Sequence, residues 1–178
     1  MTRKLVHAEI AAQRLTNEEV KTIARHPITV VLDNIRSLYN VGSVFRTCDA
    51  ARIEKLILTG YTPYPPRKEI AKTALGAIES VPWEYCKNAV DAVKALKEKG
   101  MTIAVLEQTD NSIPYYALEK KNFPLCLIVG NEISGVSPEL VALADIALEI
   151  PMYGIKHSLN VAVACGIAVF EAVRALNR

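Results

Sequence analysis

The sequence predicts an α/β protein with a mainly parallel sheet and helices on both faces. Three observations carry this reading. Strand-like and helix-like segments alternate along all 178 residues, the order in which a parallel sheet is laid down. Ile28-Thr29-Val30-Val31-Leu32 is an unbroken β-branched and aliphatic run, the composition of a strand covered on both faces. Ala89 to Lys99 is patterned as an amphipathic helix, opened by Asn88 and closed by Gly100.

The elements follow in order. Thr16-Asn17-Glu18-Glu19 has the form of a capping box, which predicts a short helix reaching about Arg25 and ended by Pro27. After the strand at Ile28–Leu32 comes a loop, Asp33 to Tyr39, and then a helix from Val41 to Ala51 with Asn40 as its cap. Lys55 to Gly60 is the next strand. Tyr61 to Pro66, with three prolines and two tyrosines, is a loop. Arg67 to Leu75 reads as a short helix and Val81 to Cys86 as a strand. Thr102–Leu106 and Leu125–Val129 are further strands. Ser137-Pro138-Glu139 starts a helix with a cap followed by proline. Ile146–Ile150 is the last strand, and Ser158 to Asn177 the closing helix.

That closing helix is apolar on nearly every side from Leu159 to Phe170, and such a helix has to be covered all round. One sheet covers one face. A homodimer with this helix at its interface is therefore expected, the alternative being burial by other helices of the same chain. Gly166 fits close helix contact, because a mid-helix glycine costs about 1 kcal/mol relative to alanine.

Composition sets bounds. The apolar share is 51 % and the charged share 22 %, those of a globular domain. We divide the chain into a short N-terminal extension, 1–27, and one domain, 28–178. The net charge of +2 gives no general attraction to nucleic acid, so any RNA-binding surface has to be local. The first residues lack the apolar stretch of a signal peptide, and Leu159–Phe170 is too short to span a bilayer, which takes about 20 residues; a soluble, cytoplasmic protein is expected. Cys48, Cys86, Cys126 and Cys165 are widely spaced and form no CxxC pair, so they read as reduced core residues. The histidines are scattered, and no metal site is expected.

Common nucleotide signatures are missing. No GxGxxG follows the first strand, Val136-Ser137 stands where a P-loop after Gly130 needs its lysine and hydroxyl, and no GxSxG is found. Dehydrogenase, ATPase and hydrolase readings lose weight accordingly.

Three segments remain. The first runs from Leu32 to Thr47 and places Asn40, Gly42, Ser43 and Arg46 on a loop and the helix it starts. Alone, it is explained by a helix cap and a solvated arginine. The second, Leu127 to Ser137, carries a buried strand into a turn with two glycines and Glu132, where backbone can approach a ligand closely. An ordinary strand-to-helix turn explains it equally. The third, Ile150 to Ala164, opens an apolar helix with Ser158 and Asn160; burying such groups unbonded costs roughly 2–7 kcal/mol, which points to a site, although Ser158 also suits a cap.

Taken in order, Asn40-x-Gly42-x-x-x-Arg46, Gly130-Asn131-Glu132-x-x-Gly135 and Ile150-Pro151-Met152-x-Gly154-x-x-x-Ser158-Leu159-Asn160 resemble the three motifs of the SpoU-type (TrmH-like) RNA 2′-O-ribose methyltransferases of the SPOUT superfamily. The resemblance covers about Ile28 to Ala175. It implies a parallel sheet whose C-terminal part forms a trefoil knot, a dimer, and S-adenosylmethionine as cofactor. It places that cofactor against Leu106, Glu107, Gln108 and Thr109, against Val129, Gly130, Asn131 and Gly135, and against Ile150, Met152, Gly154, Ser158 and Leu159. The arginine matching Arg46 is implied to take the ribose proton; a guanidinium normally stays protonated, so holding a phosphate and stabilising the alkoxide is the competing role. Asn40, Glu132, Ser158 and Asn160 are expected to orient it and the substrate, across the dimer interface. Arg36, Arg67, Lys68, Lys72, Lys156 and His157 are candidates for the RNA backbone, and Tyr61 and Tyr64 for stacking a flipped nucleotide unless their loop is a rigid turn.

The short extension tilts the expected substrate toward tRNA over rRNA. Relatives often carry an aromatic residue and glycine after Asp49-Ala50, where this chain has Ala51-Arg52; the departure touches helix packing rather than chemistry. Rival readings are a base-methylating SPOUT enzyme, a non-catalytic RNA-binding relative and a small-molecule α/β enzyme.

Overall fold

A computed structural model describes residues 2–16 and 18–178. Two short helices, α1 (His7–Ala12) and α2 (Glu19–Thr22), precede the sheet. Thr16 and Glu19 exchange hydrogen bonds, backbone N–H to carboxylate at 2.7 Å and backbone N–H to hydroxyl at 3.2 Å, the capping box expected from sequence. The helix is shorter than expected, ending at Thr22 rather than near Arg25. Arg25 instead turns inward and donates to the carbonyls of Val20, Ile53 and Ser80, pinning this segment to the domain.

The remaining elements are β1 (His26–Asp33), α3 (Leu38–Ala50), β2 (Ile53–Thr59), α4 (Lys68–Ala74), α5 (Ala77–Ser80), β3 (Trp83–Cys86), α6 (Ala89–Glu98), β4 (Thr102–Leu106), β5 (Ile113–Pro114), β6 (Leu125–Val129), α7 (Pro138–Val141), β7 (Ile146–Glu149) and α8 (Val161–Leu176). The seven strands form one parallel sheet in the order β3-β2-β1-β6-β4-β7-β5. Every residue of β1 from Ile28 on is buried, as the β-branched run predicted. Alternation sends Ile28, Val30 and Leu32 to one face, against Val41 and Phe45 of α3 and Cys165 and Val169 of α8. Val31 goes to the other, with Ile103, Val105, Ile128 and the α6 and α7 side chains Val93, Leu96 and Leu140. Helices thus cover both faces.

Two caps are corrected. Asn40 does not cap α3; Ser37 does, in extended backbone, its hydroxyl accepting from the Asn40 N–H at 3.3 Å. Ser158 does not open α8; that helix begins at Val161, and Asn160 Oδ1 accepts from the N–H groups of Ala162 (2.9 Å) and Val163 (3.3 Å). In both cases the true cap is the polar residue that meets the orphan N–H groups of the first turn. The elements α1, α5 and β5 went unexpected, being too short for periodicity to show.

Burial of α8 is one-sided. Cys165, Ala168, Val169, Ala172 and Ala175 are buried, while Val163 and Phe170 remain 52 % and 51 % exposed. Gly166 is not forced by packing within the chain, since a Cβ there would meet Thr47 at an ordinary 3.9 Å. Cys48, Cys126 and Cys165 are buried free thiols and Cys86 is half-buried. Burial pushes the Cys126 and Cys165 thiols up to about 12, which keeps them protonated and inert. Among the described residues no helix is long and apolar enough to cross a membrane.

The strand order reverses beside β1: β2 and β3 lie on one side, β6, β4, β7 and β5 on the other. At such a point the loops leaving neighbouring strands diverge and open a crevice at the carboxyl edge. Strand order alone does not define a knot.

Candidate active site

A cleft of about 430 Å³ opens at that carboxyl edge, lined from the ends of β4, β6 and β7 and the start of α8. Leu106, Glu107, Gln108, Val129, Gly130, Asn131, Gly135, Ile150, Met152, Ser158 and Leu159 all line it, as does Glu132. Thr109 and Gly154 do not. Gly154 lies instead on an adjoining hollow of about 340 Å³, shared with Gln108, Ile150 and Met152 and walled by Lys156 and His157. Liners that the motifs did not single out include Ile133, Ser134, Val136, Leu148, Glu149, Val161 and Ala164.

The turn after β6 is shaped by close backbone approach. Gly135 has φ +71° and a Cβ on it would overlap the Glu107 carboxylate, while a Cβ on Gly130 would overlap the backbone of Gly135 and Val136. Asn131 and Gly135 exchange backbone hydrogen bonds at 2.9 and 3.0 Å. Glu107 is held by the N–H groups of Gln108 and Val136, both at 2.9 Å.

Three side chains join the three segments. The Glu132 carboxylate accepts from the N–H of Arg36 (2.9 Å), the N–H of Ser37 (3.0 Å) and the Asn40 amide (2.9 Å). The Asn40 oxygen accepts from the Asn160 amide at 3.0 Å, and Asn160 caps α8. Partial burial alone would raise the Glu132 pKa, but the donors from Arg36, Asn40 and Ser37 outweigh it and hold it below the usual carboxylate value. Asn40, placed as a cap by sequence, is thus the middle of a bridge from the cleft-lining Glu132 to the cap of α8.

Arg46 is exposed on α3, about 9 Å along the helix axis from Asn40 at six residues of 1.5 Å rise. It is not among the residues lining the cleft. Gly42 lies against α4 instead, where a Cβ would overlap Thr73 Oγ1 and the Ile70 carbonyl, and the Ser43 hydroxyl donates to the Tyr39 carbonyl at 2.9 Å. The first motif therefore divides its labour between bridge, packing and an open surface. Arg36, Arg67, Lys68, Lys72, Lys156 and His157 are all exposed.

Two functions at the carboxyl end of β1 went unread in the sequence. Buried Asp33 accepts from the Ser137 N–H at 2.8 Å and holds the start of α7. Asn34, with φ +56°, bonds Asp33 and Tyr61. An acid and an asparagine directly at a strand's carboxyl end were the available signal.

A parallel sheet with a small-molecule-sized cleft at its carboxyl edge, over the ends of β6, β4 and β7, has the form of a ligand-binding α/β protein. The chain belongs to the SpoU rRNA Methylase family, which matches residues 27–170. It is 34 % identical over 157 residues to a tRNA (guanosine(18)-2′-O)-methyltransferase from Aquifex aeolicus, covering 88 % of this chain and 73 % of that protein. The crystal structure of an Aquifex aeolicus TrmH/SpoU tRNA-modifying enzyme superposes with a TM-score of 0.81 at 32 % identity, over 90 % of this chain and 81 % of the other. An AdoMet-bound rRNA methyltransferase from Sinorhizobium meliloti superposes with a TM-score of 0.79 at 31 % identity, over 88 % and 60 %. Among further curated relatives the chain spans 57 % to 69 % of their length.

Proposed function

We propose that this protein is an S-adenosylmethionine-dependent methyltransferase acting on a ribose 2′-hydroxyl of tRNA or rRNA. The observation that carries the reading is the Glu132–Asn40–Asn160 bridge, which joins one residue from each motif segment and is anchored on the cleft-lining Glu132. The named activities of the relatives support it.

The cleft suits the cofactor. Its volume falls in the range that encloses a small ligand, Leu106, Ile150, Met152 and Leu159 give it an apolar wall for an adenine, and the turn at Gly130–Gly135 exposes backbone groups to the ligand. Its charged liners are Glu107, Glu132 and Glu149, with no lysine or arginine among them, a match for a cationic sulfonium. When bound, S-adenosylmethionine supplies a methyl group already activated for in-line displacement. The protein adds alignment of the ribose oxygen, whose proton passes to solvent water as the methyl ether forms and the sulfonium leaves as a neutral thioether. We assign Arg46, a permanent cation, to a backbone phosphate and the developing oxyanion. Asn40, Glu132, Ser158 and Asn160 position the two substrates. Thr109 and Gly154, away from the main cleft, are assigned to the adjoining hollow and its rim.

We further propose a homodimer packed through the open stripe of α8, formed by Val163 and Phe170, in which Arg46 of one protomer serves a cleft shared with its partner. Residues 150–178 are proposed to thread as a trefoil knot beneath that interface. Among the RNA-backbone candidates, His157 lines the cleft and Lys156 the adjoining hollow, and both are assigned to the substrate phosphates.

The test is transfer of labelled methyl from S-adenosylmethionine into total tRNA and into rRNA, with Arg46→Ala alongside. The expected result is label in a nucleotide resistant to alkaline cleavage on its 3′ side, lost in the variant. Absence of cofactor binding would overturn the reading; label in a base instead of ribose would reassign the reaction.

A further inference from the structure

A second set of hydrogen bonds crosses the gap between β1 and β6 and ties the cleft to the loop after β2. Asn131 is 7 % exposed. Its amide N–H groups donate to the Asn34 carbonyl (2.7 Å) and to the Tyr61 phenol oxygen (2.8 Å). Its amide oxygen accepts from the N–H groups of Ile133 (2.8 Å) and Ser134 (3.0 Å). This one side chain therefore gives the cleft-lining turn its shape and, at the same time, leans on Tyr61.

Tyr61 is fixed at both ends. Its N–H donates to Asn34 Oδ1 at 3.1 Å, and its phenol oxygen accepts from Asn131. The loop behind it is braced by Tyr64 against Tyr85, with ring centroids 4.4 Å apart, and by the Tyr85 hydroxyl on the Gly60 carbonyl at 2.8 Å. Yet Tyr61 stays 62 % exposed. A tyrosine anchored at backbone and hydroxyl but open over much of its surface is a preorganised stacking platform, and unstacked nucleobases bind to such faces.

We propose that Tyr61 couples RNA docking to cofactor binding: a base of the substrate RNA stacks on its ring, and its hydroxyl, holding Asn131, passes that restraint to the 131–135 turn. The proposal rests on the function proposed above. A stacked base holds the phenol where it accepts from Asn131, which favours the cleft-lining form of the 131–135 turn that the cofactor binds. Linkage makes the effect reciprocal, the cofactor tightening RNA by the same factor.

The experiment is calorimetric. S-adenosylhomocysteine, which fills the cofactor site but has no methyl group to transfer, is titrated into the full chain with and without a saturating unmodified tRNA transcript, and the transcript is titrated with and without S-adenosylhomocysteine, for wild type, Tyr61→Phe and Tyr61→Leu. Wild type is expected to bind cofactor roughly three- to tenfold more tightly with RNA, the scale of one hydrogen bond. Tyr61→Phe keeps the ring, so it should bind RNA alone normally but lose the enhancement in both directions. Tyr61→Leu should in addition weaken RNA binding roughly tenfold, the scale of one stacked base. Tyr61→Phe weakening cofactor equally with and without RNA would reduce the residue to a structural role and overturn the proposal. So would independent binding of the two ligands in wild type, or equal RNA affinity in the two variants. A wild-type chain that binds no cofactor would instead overturn the proposed function itself.

Discussion

The side-chain amide of Asn40 donates to Glu132 across 92 positions of sequence, at 2.9 Å. The Asn40 oxygen accepts from Asn160, 120 positions away, at 3.0 Å. A residue in the first turn of α3 is therefore held between the loop after β6 and the cap of α8. Neither bond is deeply buried, so their value lies in fixing where three loops stand relative to one another more than in stability.

The two roles of Asn160 separate by substitution. Asn160→Ala removes the cap of α8 and should cost about 1 kcal/mol, the usual effect of losing an asparagine cap. Asn160→Asp keeps the acceptor for Ala162 and Val163 but loses the donor to Asn40. Urea denaturation should find it near wild type, while methyl transfer falls well below wild type. Equal activity in the aspartate variant would remove Asn160 from the positioning set.

Glu132 gives the site an acid limb. Its folded pKa is depressed, so the folded state favours the carboxylate. The stabilisation is present above the unfolded glutamate value and is lost as pH falls through the folded value. Glu132→Gln cannot reproduce three accepted N–H bonds and should be less stable at neutral pH. That deficit should shrink as the medium is acidified below about pH 4, near the unperturbed glutamate pKa. Denaturation curves of the two proteins across that range check the sign; a constant difference would contradict it.

The glycines of the two packed helices behave oppositely. At Gly42 a methyl group would overlap the Ile70 carbonyl of α4, a backbone atom that cannot rotate away. Gly42→Ala should lower stability by about 1–3 kcal/mol, more than offsetting a helix-propensity gain of about 1 kcal/mol. Gly166→Ala meets ordinary contact distances within the chain and, in the monomeric Phe170→Glu background, should gain up to about 1 kcal/mol. Thermal melts of both variants would show midpoints moving in opposite directions.

Arg52 stands at φ +48° just past α3, the left-handed position where helices commonly end on glycine. Its Nε is buried without a hydrogen-bond partner among the described residues. Arg52→Gly relieves both, and a stability gain of about 1 kcal/mol is expected from the backbone alone. A loss in urea denaturation would show that the packing of the arginine stem outweighs the strain.

The exposed stripe of α8 predicts an association. Phe170→Glu, at a position 51 % exposed in the single chain, should leave the fold intact yet convert a dimer to a monomer by light scattering. Unchanged mass would place the interface elsewhere.

Much of the fold was legible because strands buried on both faces must be continuously apolar. Thr102–Leu106 and Leu125–Val129 coincide with β4 and β6, and Asn88 caps α6 as read. The short elements α1, α5 and β5 carry too few residues for a period to show. Caps were misplaced at Asn40 and Ser158 because several polar residues preceded each helix, and only the backbone path decides which one faces the free N–H groups.

The sequence by itself determined the alternation of elements, the greasy closing helix and the three motif segments. It could not place one motif against another, since that depends on β6 pairing with β1 rather than with a neighbour in sequence. The tertiary structure decided that Asn40 bridges instead of caps, that Gly42 packs α4, that Arg46 faces outward, and that Tyr61 reaches Asn131. Each is a contact between residues far apart in the chain, set by parallel strand order and the crevice it opens, and no local pattern encodes it.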